Sequence, residues 1–322
     1  YKKRIKQNNK SENLNYSLLD LSISWKNRDS PFNLDIDLRR EESLMRNRAI
    51  VYEYIGQGLG GYRFDKDFNT YVLDPNGDYI AYTFITGNRK PNTVIEGSQN
   101  IIIDFSKLQL FPHLIIRSDS KQEFRGTGSI LSSYGIMDTN LTKLNLYSRL
   151  EAIISKTRST KFWFQYNKNI DGYDPRGNDL NIGKEIGCDQ VFKLKENLSV
   201  KNHFNMRKKS IQSNISFNRN RVLQGAWSNL TIQRRHNKNL DFDIGAIWGF
   251  DSGKQFNEDF NAKAIGIKGA VNIFLNKIGR ISSEIIYVNT IESNNLSILP
   301  PEALNGYALG ASLKTNTRLH YL

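Results

Sequence analysis

The amino-acid sequence predicts an all-β protein, an antiparallel meander that forms a transmembrane β-barrel of about 12 to 16 strands, alone or as part of a larger barrel. Long segments alternate apolar and polar residues with a period of two, which indicates strands with one face in water. Several of them exceed the roughly 5 to 6 residues of an ordinary strand. Short polar connections also alternate with longer ones, a pattern typical of outer-membrane barrels.

Residues 1–46 are predicted to form the first barrel strands. Apolar side chains occupy every second position over 19–25 and again over 32–38, so each run has one apolar and one polar face. The alternation is under way by Leu14, and neither an initiator methionine nor the apolar stretch of a signal peptide precedes it. We therefore expect the chain to be a piece of a longer protein.

Residues 47–105 are predicted to form a small inserted β-hairpin module rich in Gly, Tyr and Asp. Four glycines lie within 56–61, but they lack the G-x-G-x-x-G spacing of a dinucleotide loop, and no Gly-Lys-Ser/Thr follows. The glycines therefore predict a tight turn rather than a nucleotide site. Aromatic residues are expected to pack on this turn, namely Tyr62, Phe64, Tyr71 and Tyr79.

Calcium is the one metal for which the module offers weak candidate ligands. Asp74, Asn76 and Asp78 place oxygen ligands at alternate positions, as the first part of an EF-hand loop does. The twelfth position, where that loop requires Glu, is Ile85. A plain Asp/Asn/Gly/Pro turn is therefore the first expectation, with calcium as the alternative.

Residues 106–322 are predicted to form the main barrel and to end in a C-terminal strand over 307–321. That strand alternates without a slip and has an aromatic residue at each end of its apolar side, where membrane strands carry aromatic girdles. The residues predicted to face lipid are Leu240, Phe242, Ile244, Trp248, Tyr307, Leu309, Leu313, Leu319 and Tyr321. The residues predicted to face the lumen are Lys268, Lys314, Arg318, Arg149, Asp241 and Asp243.

The sequence predicts no catalytic site and no cofactor. A single cysteine, Cys188, excludes a disulfide framework and a cysteine-based zinc site. The four histidines stand in no metal-ligand spacing, and no G-x-S-x-G nucleophile motif occurs. A hydrolase embedded in the barrel would assemble its residues from separate strands, and this class stays a third alternative.

The net charge of +13 bears on the partners of the protein. Basic clusters such as Arg207-Lys208-Lys209 and Arg234-Arg235 fall near strand ends, where they suit anionic lipid headgroups or lipopolysaccharide phosphates. Nucleic acid would also attract such clusters, but we expect no nucleic-acid partner. Lysine and arginine in the lumen would favour anions in a pore.

The Gly-, Tyr- and Asp-rich module followed by long alternating strands resembles segments of large outer-membrane or surface β-proteins of Bacteroidota-like Gram-negative bacteria. The resemblance implies insertion into the bacterial outer membrane and supplies no activity or site. We expect a non-catalytic pore, secretion or assembly conduit, or anchor for other outer-membrane or surface proteins. The alternative is a soluble extracellular β-sheet protein that binds polyanions or glycans, since a sheet with one wet face shares the period-two pattern.

Overall fold

The architecture is a single antiparallel sheet. Within the residues that the computed structural model describes, sixteen strands belong to one sheet, and strands that are neighbours in the sheet pair antiparallel. The predicted all-β antiparallel meander is therefore confirmed. The described residues are 2–6, 14–27, 29–108, 114–125, 141–155, 157–171, 177–215, 219–255, 257–275, 279–295, 299–307 and 310–321.

The strand bounds follow the alternating segments of the sequence. The strands of the first half are β1 (Lys2–Lys6), β2 (Leu14–Trp25), β3 (Phe32–Tyr54), β4 (Gly60–Asp65), β5 (Thr70–Gly77), β6 (Tyr79–Asp104), β7 (Leu114–Arg125) and β8 (Leu141–Ser155). Those of the second half are β9 (Arg158–Asp171), β10 (Asp179–Lys195), β11 (Leu198–Ser213), β12 (Arg221–Asn237), β13 (Leu240–Gln255), β14 (Glu258–Leu275), β15 (Gly279–Asn294) and β16 (Ala311–Tyr321).

The strand order in the sheet is β1-β2-β3-β6 and then β7 to β16 in sequence, with β4 and β5 off this path. Among the described residues, β1 pairs only with β2, and β16 pairs only with β15. The part of the chain that the structure describes contains no helix with the length and apolar character needed to cross a membrane.

The connections differ between the two ends of the sheet. At one end, two residues join β10 to β11, and two join β12 to β13. The opposite end carries the longer connections, including 214–220 and 295–310. At this same end, two residues separate β13 from β14.

A long hairpin contains most of the predicted insert at 47–105. The boundary at residue 47 falls inside β3, which has 23 residues, and β6 returns beside it with 26 residues. Among the described residues, β2 pairs with β3 as far as Glu41, and the distal part of the hairpin extends beyond this pairing. Residues 55–78, with β4 and β5, connect these two strands, and β4 pairs with β6 at Tyr62 and Tyr79.

Stacked tyrosines hold the tip of this hairpin together. The rings of Tyr52 and Tyr71 lie parallel with centroids 3.9 Å apart, and Tyr62 meets Tyr52 edge-on. A Cβ on Gly60 would lie 2.3 Å from the backbone of Tyr79, so the close approach of these two backbone segments requires glycine. The Tyr62 hydroxyl donates a hydrogen bond to the carbonyl of Ile215 at 2.9 Å, which ties the tip to the residues after β11.

The strand register divides the sheet into two faces. Paired residues lie on the same face, and successive residues lie on opposite faces. We call the face that carries Asp241, Asp243 and Asp251 of β13 the polar face. The face that carries Phe242 and Ile244 is the apolar face, and pairing extends both assignments across the sheet.

Candidate functional site

A buried ion pair occupies the polar face of the C-terminal strands. The guanidinium of Arg207 on β11 lies 2.7 Å from the carboxylate of Asp251 on β13, and the two side chains are 6% and 0% exposed. The indole nitrogen of Trp227 on β12 donates a hydrogen bond to the same carboxylate at 3.2 Å. A buried pair of charges is tolerated only when such hydrogen bonds satisfy it.

A segment between β15 and β16 covers this ion pair. We call residues 299–307 the inner segment. Arg207 donates to the carbonyl of Glu302 and to the side-chain oxygen of Asn305, each at 3.0 Å, and Arg221 pairs with the Glu302 carboxylate. Leu304 is buried among apolar side chains of the polar face. The inner segment is therefore held by two arginines and by apolar packing.

Two glycines make room for the buried groups. A Cβ on Gly249 would lie 2.3 Å from the ring of Trp227, its partner across the strands. A Cβ on Gly225 would lie 1.9 Å from the carboxylate of Asp251, which pairs with it. A larger residue at either position would therefore displace Trp227 or Asp251.

The structure corrects the prediction that Tyr307 begins the last strand and faces lipid. Tyr307 precedes β16, and its ring centroid lies 6.0 Å from that of Trp227. The ammonium of Lys314 stands 4.5 Å from the Tyr307 ring centroid, within cation–π range. Burial, together with the carboxylate of Glu284, raises the pKa of the Tyr307 phenol.

The residues predicted to face a lumen share the polar face through the strand register. Asp241 is 4% exposed and receives a hydrogen bond from Arg235 at 3.1 Å. Lys268 lies across from Gly245, and Arg149 lies 3.7 Å from Glu151. The register places the full set on this face: Arg149, Asp241, Asp243, Lys268, Lys314 and Arg318.

Most residues predicted to face lipid lie on the apolar face, where their side chains are exposed. Ile244 is 70% exposed and Leu313 is 67% exposed. Leu240 is half-buried. Leu309 and the side chain of Tyr321 lie outside the described part of the chain. The other exposed members of the predicted set are Phe242, Trp248 and Leu319.

Two of the three candidate calcium ligands have hydrogen-bond or ionic partners within the hairpin tip. Asp74 pairs with the guanidinium of Arg63 at 3.2 Å and also accepts the backbone N–H of Asn76. The carboxylate of Asp78 accepts the N–H of Gly58 at 2.9 Å. Among the described residues, no group of three or more His, Cys, Asp or Glu side chains is arranged to hold a metal.

A polar cavity that the sequence did not predict lies across β3 to β9. It has a volume of about 370 Å³, and its carboxylates already have partners, since Asp37 accepts hydrogen bonds from Ser22 and Ser98. Polar side chains at alternate positions, such as Asp35 and Asp37 or Gln165 and Asn167, were its sequence signal. The other polar lining residues are Gln99, Asn100, Asp119, Ser120, Lys121, Asn145 and Tyr147.

Comparison with known proteins assigns no family. No protein-family model matches the chain, and no curated protein matches its sequence. The function therefore has to be argued from the geometry of the two faces.

Proposed function

We propose that this chain forms the wall of a bacterial outer-membrane β-barrel and acts as a pore, with a conduit or an anchor as variants of the same placement. The observation that carries the proposal is the burial pattern of β13. Its apolar residue Ile244 is 70% exposed, whereas its carboxylate Asp251 is 0% exposed. A protein folded in water reverses this pattern, because buried charge and exposed apolar area both cost free energy.

The width of the exposed apolar band supports the same placement. On β13 the apolar face is continuous from Leu240 to Phe250, and on β14 it runs from Ile265 to Leu275. Each stretch spans 11 residues, and a membrane-spanning strand needs about 9 to 11. Exposed apolar residues of neighbouring strands continue the band, including Ile285, Tyr287 and Leu313.

The polar face would then border water. It carries charges of both signs that pair across strands, as Arg235 and Asp241 do. The inner segment rests on this face and would narrow the passage. Lys268, which lies beyond the covered ion pair, would act on permeating ions through its charge.

Reconstitution tests the proposal. The refolded chain should require detergent or lipid, migrate differently before and after boiling, and conduct ions in planar bilayers. Lys268→Glu should shift the ion selectivity of that conductance towards cations, because the substitution reverses a charge on the polar face. Lys254→Glu, on the apolar face, is the matched control and should leave selectivity unchanged.

Two results bear directly on this placement. A monodisperse, folded chain in buffer without detergent would overturn the membrane placement. Insertion that leaves the bilayer insulating would reject the pore and support the anchor variant.

A further inference from the structure

Three lysines form a basic group on the apolar face of β9, β10 and β11. Lys184 and Lys208 are direct cross-strand partners. Lys168 pairs with Ile182, two residues from Lys184 on the same face. We call Lys168, Lys184 and Lys208 the lysine group. Lys184 and Lys208 are exposed, and Lys168 is half-buried.

The pairing of Lys184 with Lys208 is unfavourable without a counter-charge, since like charges directly opposite each other destabilise a sheet. Among the described residues that pair with or flank the lysine group on this face, none is acidic. Lys184 directs its ammonium toward the ring of Tyr166, at 5.8 Å from the centroid, and Lys208 pairs on its other side with Gln224. This arrangement fits an anion supplied from outside the chain.

The surroundings of the lysine group define the rest of the ligand. Towards the short-turn end, the next residues on this face are Ile186 and Met206, and they are exposed. Towards the other end, β10 begins at Asp179 and β11 ends at Ser213. On this side Ile182 and Ser210 follow on the same face, and the group stands within five residues of the strand ends that lead to the longer connections.

We propose that the lysine group binds the phosphorylated headgroup of an anionic lipid whose acyl chains lie on Ile186 and Met206. Phosphate oxygens accept hydrogen bonds from several ammonium groups at once and remove the repulsion between Lys184 and Lys208. The proposal rests on the membrane placement proposed above, because that placement brings lipid to this face.

Alternation explains why only one member of the cluster Arg207-Lys208-Lys209 takes part. Arg207 and Lys209 lie on the polar face, where Arg207 pairs with Asp251. Lys208 lies on the apolar face. Another lysine of that face, Lys263, has an acidic partner in Glu292 at 2.6 Å. The absence of such a partner beside Lys184 and Lys208, within the described residues, sets the lysine group apart.

The test uses the purified full chain in a nonionic detergent with lipid A, phosphatidylcholine or inorganic phosphate as the probe. Native mass spectrometry measures retained lipid, and the boiling-sensitive gel shift measures the unfolding temperature. Each lysine near an anionic surface contributes about 1 kcal/mol, which is about fivefold in affinity. Lys184→Gln with Lys208→Gln should therefore lower lipid A retention by about 25-fold. Lys254→Gln, whose strand partner is Asp259, is the matched control.

The unfolding temperature is the second measurement, and the order of stability of the double variant and the natural chain should reverse when lipid A is added. Without lipid, the double variant should be at least as stable as the natural chain, because the repulsion between the lysines is gone. With lipid A, the natural chain should become the more stable of the two. Phosphatidylcholine should not produce this reversal.

Two results would overturn the lipid site: equal lipid A retention by the double variant and the natural chain, or stabilisation by inorganic phosphate as large as that by lipid A. A chain that conducts in bilayers but shows either result keeps its proposed function and loses this site. If the chain shows this reversal in detergent but never inserts into bilayers, the result supports the anion site and rejects the proposed pore.

Discussion

The two halves of the sheet carry buried clusters on opposite faces. In β11 to β15 the polar face is covered, with Arg207 and Asp251 beneath the inner segment, while Ile244 stays exposed. In β3 to β9, apolar-face residues are buried instead: Leu38, Ile95 and Phe124 pack together beside Tyr166. Asp37 and Arg39, on the polar face of β3, are exposed.

This difference shows that a period of two establishes strands but does not decide which face is covered. In the C-terminal half, a connecting segment folds back and supplies the cover. In the N-terminal half, apolar side chains of neighbouring strands cover each other. The following predictions test the contrast, from the largest expected effect to the smallest.

Removing one partner of the buried ion pair should have the largest effect. Asp251→Ala leaves the guanidinium of Arg207 buried without its counter-charge, which should lower the free energy of unfolding by about 3 to 5 kcal/mol. Denaturant titration of the refolded protein measures the loss. Lys263→Ala breaks a pair in which both side chains are more than half exposed, and should change it by less than about 1 kcal/mol. Equal losses of unfolding free energy in the two variants would contradict the burial of the polar face around Asp251.

A substitution in the N-terminal half tests the opposite face. Leu38→Ala should cost about 2 to 5 kcal/mol, because the side chain is 3% exposed within its cluster. Its cross-strand partner Leu21 lies on the same face but is 47% exposed. Leu21→Ala is therefore the matched control and should cost much less. Similar losses at the two positions would remove the contrast between the halves.

The glycine beneath Trp227 gives a smaller effect. Gly249→Ala places a methyl group where the indole lies, and overpacking of this kind should cost about 1 to 3 kcal/mol. At Gly269 on β14, no other described atom lies within 4 Å of an added Cβ. Gly269→Ala should therefore leave the denaturation midpoint within experimental error. A tolerated Gly249→Ala would indicate that Trp227 does not rest on β13.

The smallest expected effect concerns the last strand. Lys314→Met removes the ammonium over the ring of Tyr307, and a cation–π contact at an exposed site contributes about 0.5 to 1 kcal/mol. Protease digestion of the refolded protein should then cut the inner segment somewhat faster. Arg318 lies four residues further along β16, on the same face. Arg318→Met should therefore leave that rate unchanged. An equal rise in the cleavage rate of both variants would indicate that Lys314 does not hold the inner segment in place.

The sequence predicted the alternating faces well where alternation is regular. In β13 the alternation assigned Asp241 and Ile244 to opposite faces, as the register has them. Trp227 broke the pattern of its strand because the ring packs over Gly249, and that contact depends on a neighbouring strand. Period-two analysis is local and carries no information about such cross-strand pairs.

The inner segment shows more clearly what local alternation cannot predict. The connection before β16 has no regular alternation in sequence, and its apolar residues Leu299, Ala303 and Leu304 are among those that pack against the sheet. Its position depends on Arg207 and Arg221, which are about 80 to 100 residues away in the chain. The predicted strand start at Tyr307 failed for the same reason, because packing against Trp227 outweighed local alternation.

Quenching of tryptophan fluorescence by brominated lipid tests the central claim most directly. Trp248 is exposed on the apolar face, and Trp227 is buried on the polar face. In a W25F/W163F background refolded into vesicles, brominated lipid should quench a large part of the emission, and Trp248→Phe should abolish that quenching. Quenching that persists after Trp248→Phe, or emission from Trp248 that only a water-soluble quencher reaches, would contradict an apolar face in contact with lipid.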